Sequence, residues 1–140
     1  MDKKIAVLTG GTSGIGMQTA LALKNAGYTV YELSRRAQGV EGLNHLVADV
    51  TDEAAVKKAV DEIVAREGKI DVLVNNAGFG ISGAVEFTKT EDAKRLFDTN
   101  FFGMVNMNHS VYSSTLVTCF IFCICFRLLQ IVRTSSTSCT

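Results

Sequence analysis

The amino-acid sequence predicts an α/β fold: a doubly wound parallel sheet with helices on both faces. Three observations predict it. Short apolar runs alternate with helically periodic stretches as far as Phe97. Turns rich in glycine, asparagine or aspartate follow the C-terminal ends of those runs. The composition is that of one globular domain, with 140 residues, 47% apolar and 20% charged side chains, and twelve glycines.

The first strand is Ile5-Ala6-Val7-Leu8, entered through Lys3 and Lys4. Turn residues run from Thr9 to Gly16, and a helix follows. Its apolar positions, Ile15, Ala20, Leu23 and Ala26, recur at roughly helical spacing. Gly27 stands at the stop position past its end. Residues 29–33 read as the second strand, which completes a βαβ unit. Residues 46–48 form a short third strand ending at Asp49. Thr51 or Asp52 caps the next helix, with Asp52 and Glu53 in its first turn. Val56, Val60, Ile63 and Val64 make its buried stripe, and Gly68 ends it. Residues 70–74 are a fourth strand, apolar enough to be buried on both faces. Thr90 caps a further helix that starts at Glu91 and carries Ala93, Leu96 and Phe97. Right-handed crossovers bring the loops after all these strands to one edge of the sheet, where ligands bind in such folds.

Thr9-Gly10-Gly11-Thr12-Ser13-Gly14-Ile15-Gly16 joins the first strand to its helix. Glycines there let the backbone turn tightly and approach a diphosphate, and the helix N-terminus offers free N–H groups. A turn that merely packs is the alternative; three glycines at 10, 14 and 16 between strand and helix favour phosphate. The spacing is Thr-Gly-x-x-x-Gly-x-Gly rather than Gly-x-Gly-x-x-Gly. Three further segments follow in order: Asp49-Val50, Asn75-Asn76-Ala77-Gly78, and Asn100 within Asp98-Thr99-Asn100-Phe101-Phe102-Gly103. In this combination the sequence resembles the short-chain dehydrogenase/reductase family over about residues 3–108. The resemblance implies a Rossmann-like sheet, truncated to about four of the usual seven strands. Asn75-Asn76-Ala77-Gly78-Phe79-Gly80 with Gly83-Ala84-Val85-Glu86 is most similar to the branch containing steroid and retinol dehydrogenases.

The family's roles carry over residue by residue. Gly10, Gly14 and Gly16 would line the pyrophosphate, with Thr9, Thr12, Ser13 and Ile15 of the same turn among the cofactor-binding residues. Asp49 would accept a hydrogen bond from the adenine amino group, beside the Val50 backbone. Asn75 would support the strand end near the cofactor ribose, with Asn76 beside it and Ala77 and Gly78 as the floor. Asn100 would belong to the catalytic set, holding a water that connects to the catalytic lysine. Read alone, Asn100 is a helix-kink or surface asparagine.

The second strand ends in Leu33-Ser34-Arg35-Arg36. An NAD site places an acid near this point to bind the ribose 2′-hydroxyl, and such an acid would repel a 2′-phosphate. Ser34 stands there instead, followed by two guanidinium groups suited to phosphate. The expected cofactor is therefore NADP(H) in preference to NAD(H), with Arg35 the first candidate and Arg36 the second. Glu32 lies two residues early and is expected to point elsewhere. The alternative is two solvated arginines.

The resemblance also implies a catalytic tyrosine, a lysine four residues later and an upstream serine. Here Tyr28, Tyr31 and Tyr112 are followed at that spacing by Glu32, Arg35 and Leu116, and the last lysine is Lys94. Ser113 and Ser114 have no tyrosine downstream. The expectation is a family oxidoreductase acting on an alcohol or carbonyl, whose 140 residues as given are inactive or severely impaired.

Composition breaks after Asp98, where Arg127 and Arg133 are the only remaining charged side chains. Residues 1–109 read as the nucleotide-binding portion. Residues 110–140 read as an atypical apolar tail, rich in Cys, Phe, Ser and Thr, from a frameshift, missed splice or truncation near residues 106–110. Residues 116–126 are uncharged but fall short of the about 20 residues of a spanning helix. Cys119, Cys123 and Cys125 lack zinc-pair spacing, so no metal is expected. With Cys139 they cluster at one end, unlike a disulfide framework. The short apolar run after Lys3-Lys4 is no signal sequence, and a cytoplasmic protein is expected. Zero formal net charge argues against nucleic acid as a partner. The resemblance implies a small carbonyl or alcohol substrate for an intact homologue, and homo-oligomers in the family, though the sequence does not extend these to the 140 residues; no membrane partner is expected. His45 and His109 show no partner in the sequence and receive no role.

Overall fold

Ile5-Ala6-Val7-Leu8 is buried on both sides because its strand lies inside a sheet, not at an edge. The computed structural model describes residues 3–81, 89–115 and, as strand alone, 121–123. The expectations on Gly83-Ala84-Val85-Glu86, and on Cys119, Cys125 and Cys139 of the tail, lie outside the described residues.

Strand β1 (Lys4–Thr9) is followed by helix α1 (Gly14–Asn25), β2 (Tyr28–Ser34), β3 (Asn44–Val47), α2 (Glu53–Glu67) and β4 (Val72–Asn75). Helix α3 (Thr90–Phe97) then runs through a π-helical turn (Asp98–Phe102) directly into α4 (Gly103–Ser114), and β5 (Ile121–Cys123) comes last. All strand pairs are parallel, in the order β3-β2-β1-β4-β5.

The two faces of the sheet bury different helices. Ile5 and Val7 of β1 and Tyr31 and Leu33 of β2 pack with Val56, Ala59, Val60 and Ile63 of α2 and with Met107 and Val111 of α4. Ala6 and Leu8, Val30 and Val74 turn the other way, onto Ala20 and Leu23 of α1. Alternation along each strand therefore feeds two apolar layers, as a doubly wound sheet requires. Helix α2 has its own start and stop signals. The Asp52 side chain accepts from the backbone N–H of Ala54 and Ala55, and Gly68 closes the other end in the left-handed conformation, φ +78°.

Several boundaries differ from the sequence reading. Strand β3 ends before Ala48, although the Ala48 N–H still donates to the Ser34 carbonyl. Strand β4 excludes Ile70 and Asp71. The Asp71 N–H donates to the Ile5 carbonyl, and its carboxylate accepts from the Ile5 N–H, so a side chain replaces one rung of the ladder. Lys89, not Thr90, occupies the N-cap of α3. Ile15 is 64% exposed and Ala26 is exposed, so neither belongs to the buried stripe of α1; Ile15, in the helix's first turn, lines the cavity at the sheet edge instead. Val64 is only partly buried, and Ala59 takes its place in the stripe.

Helix α4 crosses residue 110, where the sequence reading starts the atypical tail, and continues to Ser114, with Ser110 and Val111 buried. Beyond the four strands read from the sequence, Ile121–Cys123 adds a fifth in register with Leu73, Val74 and Asn75. An open parallel edge carries unpaired backbone groups that an apolar, β-prone segment can cover. Among the described residues no helix is long and apolar enough to cross a membrane.

Candidate nucleotide-binding site

The C-terminal ends of β1, β2, β3 and β4 open into one cavity of about 420 Å³. Gly10, Thr12, Ser13, Ile15 and Gly16 line it from the glycine turn, and Ser34, Arg35 and Arg36 from the end of β2. Asp49 and Val50 come from the loop after β3, and Asn76, Ala77 and Gly78 from the loop after β4. These thirteen positions are all ones the sequence singled out. Leu33, Ala48, Phe79 and Thr99 line it as well, and sequence reasoning did not select them. Leu33 and Ala48 gave no signal beyond their place in a strand. Phe79 directly follows the Asn-Asn-Ala-Gly run and could have been found there.

The glycine turn is shaped by close approach. Gly10 has φ +71°, and a Cβ there would stand 3.0 Å from the Ala77 Cα. A Cβ at Gly16 would stand 2.3 Å from both the Asn76 Nδ2 and the Gly10 carbonyl oxygen. Gly14, at φ +55°, has nothing within 4 Å of its missing side chain, so it borders open space. The first turn of α1 lacks what α2 has. Ser13 makes no side-chain cap bond, and no acid stands in that turn. Its leading N–H groups and the positive end of the helix dipole therefore face the cavity without a cap from Ser13 or an acid of their own turn. A glycine cradle, an uncapped helix start and two arginines fit a dinucleotide diphosphate and its adenosine end.

Four selected residues do not line the cavity: Thr9, Asn75 and Asn100 lie buried behind its wall, and Gly14 is exposed. Thr9 is buried, and its Oγ1 accepts from the N–H groups of Asn76 (3.1 Å) and Ala77 (2.9 Å). Asn76 Nδ2 in turn donates to the carbonyls of Thr9 and Gly10, each at 3.0 Å. These bonds clip the loop after β4 to the glycine turn. Gly14 sits at the head of α1. Asn75 is buried; its Nδ2 donates to Asn108 Oδ1 at 3.0 Å, while its own Oδ1 has no partner among the described residues. Asn100 is buried in the π-helical turn. Its Nδ2 donates to the Phe79 carbonyl at 2.8 Å, and its Oδ1 accepts from the Phe79 N–H at 3.0 Å. Both ends of the Asn100 amide are thus committed to the backbone of the loop that floors the cavity.

Asp49 spends one carboxylate oxygen on the N–H and Oγ1 of Thr51, at 2.9 and 2.8 Å; Oδ2 has no partner among the described residues. Val50 is held from α4, where Asn106 Nδ2 donates to its carbonyl at 2.9 Å. Arg35 and Arg36 are exposed, and neither guanidinium has an ion-pair partner among the described residues. Glu32 is fully buried, its oxygens taken by the Gly11 N–H at 3.0 Å and by His45 Nδ1 at 2.5 Å. The sequence gave His45 no partner; strand register supplies one by setting it directly beside Glu32. Among the described residues no group of histidine, cysteine and acidic side chains is placed to hold a metal.

A family model described as short chain dehydrogenase matches residues 4–117. The chain belongs to the short chain dehydrogenase family. Among curated relatives, a 3-ketodihydrosphingosine reductase of Bacteroides thetaiotaomicron is 42% identical over 112 residues, covering 79% of this chain and 42% of that protein. A probable short-chain type dehydrogenase/reductase of Helicobacter pylori, VdlC, is 45% identical over 105 residues, 71% of this chain and 39% of the relative. The chain thus spans less than half the length of these members of the family. Solved structures agree in fold. ElxO with NADP bound superposes with a TM-score of 0.73 at 31% identity, over 84% of this chain and 55% of that one. A 3-ketoacyl-(acyl-carrier-protein) reductase of Brucella melitensis complexed with NADH gives 0.74 at 29% identity, over 79% and 50%. The family is one of oxidoreductases with Rossmann-like sheets, and both forms of the dinucleotide occur among these neighbours.

Proposed function

We propose that this chain is the nucleotide-binding portion of an oxidoreductase that moves hydride between NADP(H) and an alcohol or carbonyl compound. The observation that carries the cofactor choice is the division of charge at the end of β2. Arg35 and Arg36 line the cavity with no acidic partner among the described residues, while Glu32, the nearest acid on that strand, is turned inward and satisfied. A carboxylate so engaged is withdrawn from a ribose 2′-hydroxyl, and free guanidinium groups suit a 2′-phosphate.

The bound nicotinamide would supply the hydride chemistry. The chain's own residues would hold and orient the cofactor. The glycine turn and the start of α1 receive the diphosphate, Asp49 offers its free oxygen to the adenine amino group, and Ala77 and Gly78 floor the cavity. Asn100 fixes that floor through the Phe79 backbone. A proton donor for the substrate oxygen is the missing part, because no tyrosine in these residues is followed four positions on by a lysine. The 140 residues by themselves therefore bind the dinucleotide without turning over substrate.

Titrating NADPH and NADH against nicotinamide fluorescence tests the reading. Arg35→Ala is expected to weaken NADPH binding by roughly tenfold and NADH binding far less. An equal effect on both cofactors would end the 2′-phosphate assignment. NADPH consumption with a panel of carbonyl compounds tests the rest, and sustained turnover by these 140 residues would show that the proton donor lies elsewhere.

A further inference from the structure

Glu32 is a fully buried acid in the middle of a sheet, an expensive position unless every oxygen is engaged. Register explains how it is engaged. Leu8 of β1, Glu32 of β2 and His45 of β3 form one row across three parallel strands, on the face that carries α1. Glu32 Oε1 accepts from the Gly11 N–H at 3.0 Å. Oε2 meets His45 Nδ1 at 2.5 Å, with the Ser34 hydroxyl at 3.5 Å. The other ring nitrogen, Nε2, lies 2.9 Å from the Arg36 carbonyl oxygen. A carbonyl only accepts, so Nε2 is the donor to Arg36, and Nδ1 is the ring nitrogen that faces Glu32 Oε2.

Two glycines make room for this chain of bonds. A Cβ at Gly11 would stand 2.5 Å from Glu32 Cγ, and one at Gly39 would stand 2.4 Å from His45 Cβ. Gly11 belongs to the diphosphate turn. Gly39 and Arg36 belong to the loop that carries the two arginines.

We infer that Glu32 and His45 are positioning residues that tie the glycine turn to the Arg35-Arg36 loop and so set the preference between phosphorylated and unphosphorylated dinucleotides. The inference rests on the reading of Arg35 and Arg36 as the 2′-phosphate contacts. Glu32 holds the turn that both cofactors share. His45 holds the backbone of the loop that only the 2′-phosphate engages. The two residues are therefore expected to act differently on binding. Loss of Glu32 weakens both cofactors, and loss of His45 weakens NADPH selectively.

The experiment titrates the full chain and its variants with NADPH and with NADH, and reads the ratio of the two affinities. A variant that folds only in part loses the same factor for both cofactors, so the ratio is blind to a purely structural defect. His45→Ala is expected to lower NADPH affinity by roughly tenfold and NADH affinity by less than about threefold. Glu32→Gln can accept from Gly11 and donate to Nδ1, and is expected to keep both affinities within about threefold of wild type. If His45→Ala does not fold, two milder variants decide. His45→Gln keeps a donor for the Arg36 carbonyl, whereas His45→Asn keeps one for Glu32; the ratio should hold in the first and fall in the second. A ratio unchanged by His45→Ala, or equal in the two amide variants, while Arg35→Ala shifts it, overturns the inference and leaves the cofactor reading standing. A ratio unmoved by Arg35→Ala as well overturns both.

Discussion

Two helices start at the same edge of the sheet and treat their N-termini in opposite ways. Helix α2 closes its own. The Asp52 carboxylate accepts from Ala54 and Ala55, and Glu53 stands in the first turn. Helix α1 leaves its start open, with no cap bond from Ser13, no acid in the turn, and glycines at 14 and 16. Four N–H groups at a helix start need acceptors from somewhere. Where the chain supplies them, as in α2, the helix is scaffold. Where Ser13 withholds one beside a cavity lined by two arginines, the open helix start suits the diphosphate of the proposed cofactor.

The largest expected effect comes from filling the open end. Gly16→Val would push a side chain into the Asn76 amide and the Gly10 carbonyl, and backbone cannot retreat as a flexible side chain can. Overpacking of this kind costs about 1–3 kcal/mol. Dinucleotide binding should disappear from a fluorescence titration, and the thermal midpoint should fall with it. Retained binding would mean that the turn is not the diphosphate cradle.

Making α1 resemble α2 is the next test. Ser13→Asp would supply the missing cap and acid together, worth about 1 kcal/mol to the helix. Its carboxylate would also occupy the phosphate's ground. The expectation is an equal or higher melting temperature with NADPH affinity lowered at least roughly tenfold. Stability and binding moving down together would contradict the contrast.

The converse change, Asp52→Ala, should cost about 1 kcal/mol in a denaturant titration and leave NADPH affinity within about twofold. A selective loss of cofactor would make α2 part of the site.

The smallest effect lies at the other end of α2. Glu67 accepts from Lys3 Nζ at 2.6 Å and from Tyr31 OH at 2.7 Å, and these partners, Lys3 foremost, hold its carboxyl below the ordinary value of 4.5. A depressed acid lends stability above its unfolded value and loses it as pH falls through the folded one. The stability gap between wild type and Glu67→Gln should therefore be full near neutral pH and shrink below 4.5. A gap that widens on acidification would reverse the sign of this contact.

The contrast between the two helix starts was legible in the sequence because capping is local. Asp52 meets its partners two and three residues away, and the glycine spacing already announces a tight turn, in which a side chain at Gly10 or Gly16 would meet its neighbours. The candidate site was legible to the same extent, since thirteen of the residues chosen from motifs meet at one cavity. Local signals failed where a side chain's partner is remote. Thr9, selected as a cofactor contact, instead clips Asn76 and Ala77 from behind the wall. Ile15 kept helical spacing and yet is exposed, lining the cavity rather than the core.

The sequence by itself determined the order of strands and helices, the parallel sheet and the loops that form the site, since apolar period, caps and glycine spacing act within a few residues. Only the tertiary structure decided the fate of Glu32 and His45. They lie 13 residues apart on different strands, and the lateral register of a sheet depends on how whole elements pack. The same reason hid the bonds between Asn100 and Phe79, and the pairing of Ile121–Cys123 with β4. Partners brought together by packing leave no periodic trace in the chain that carries them.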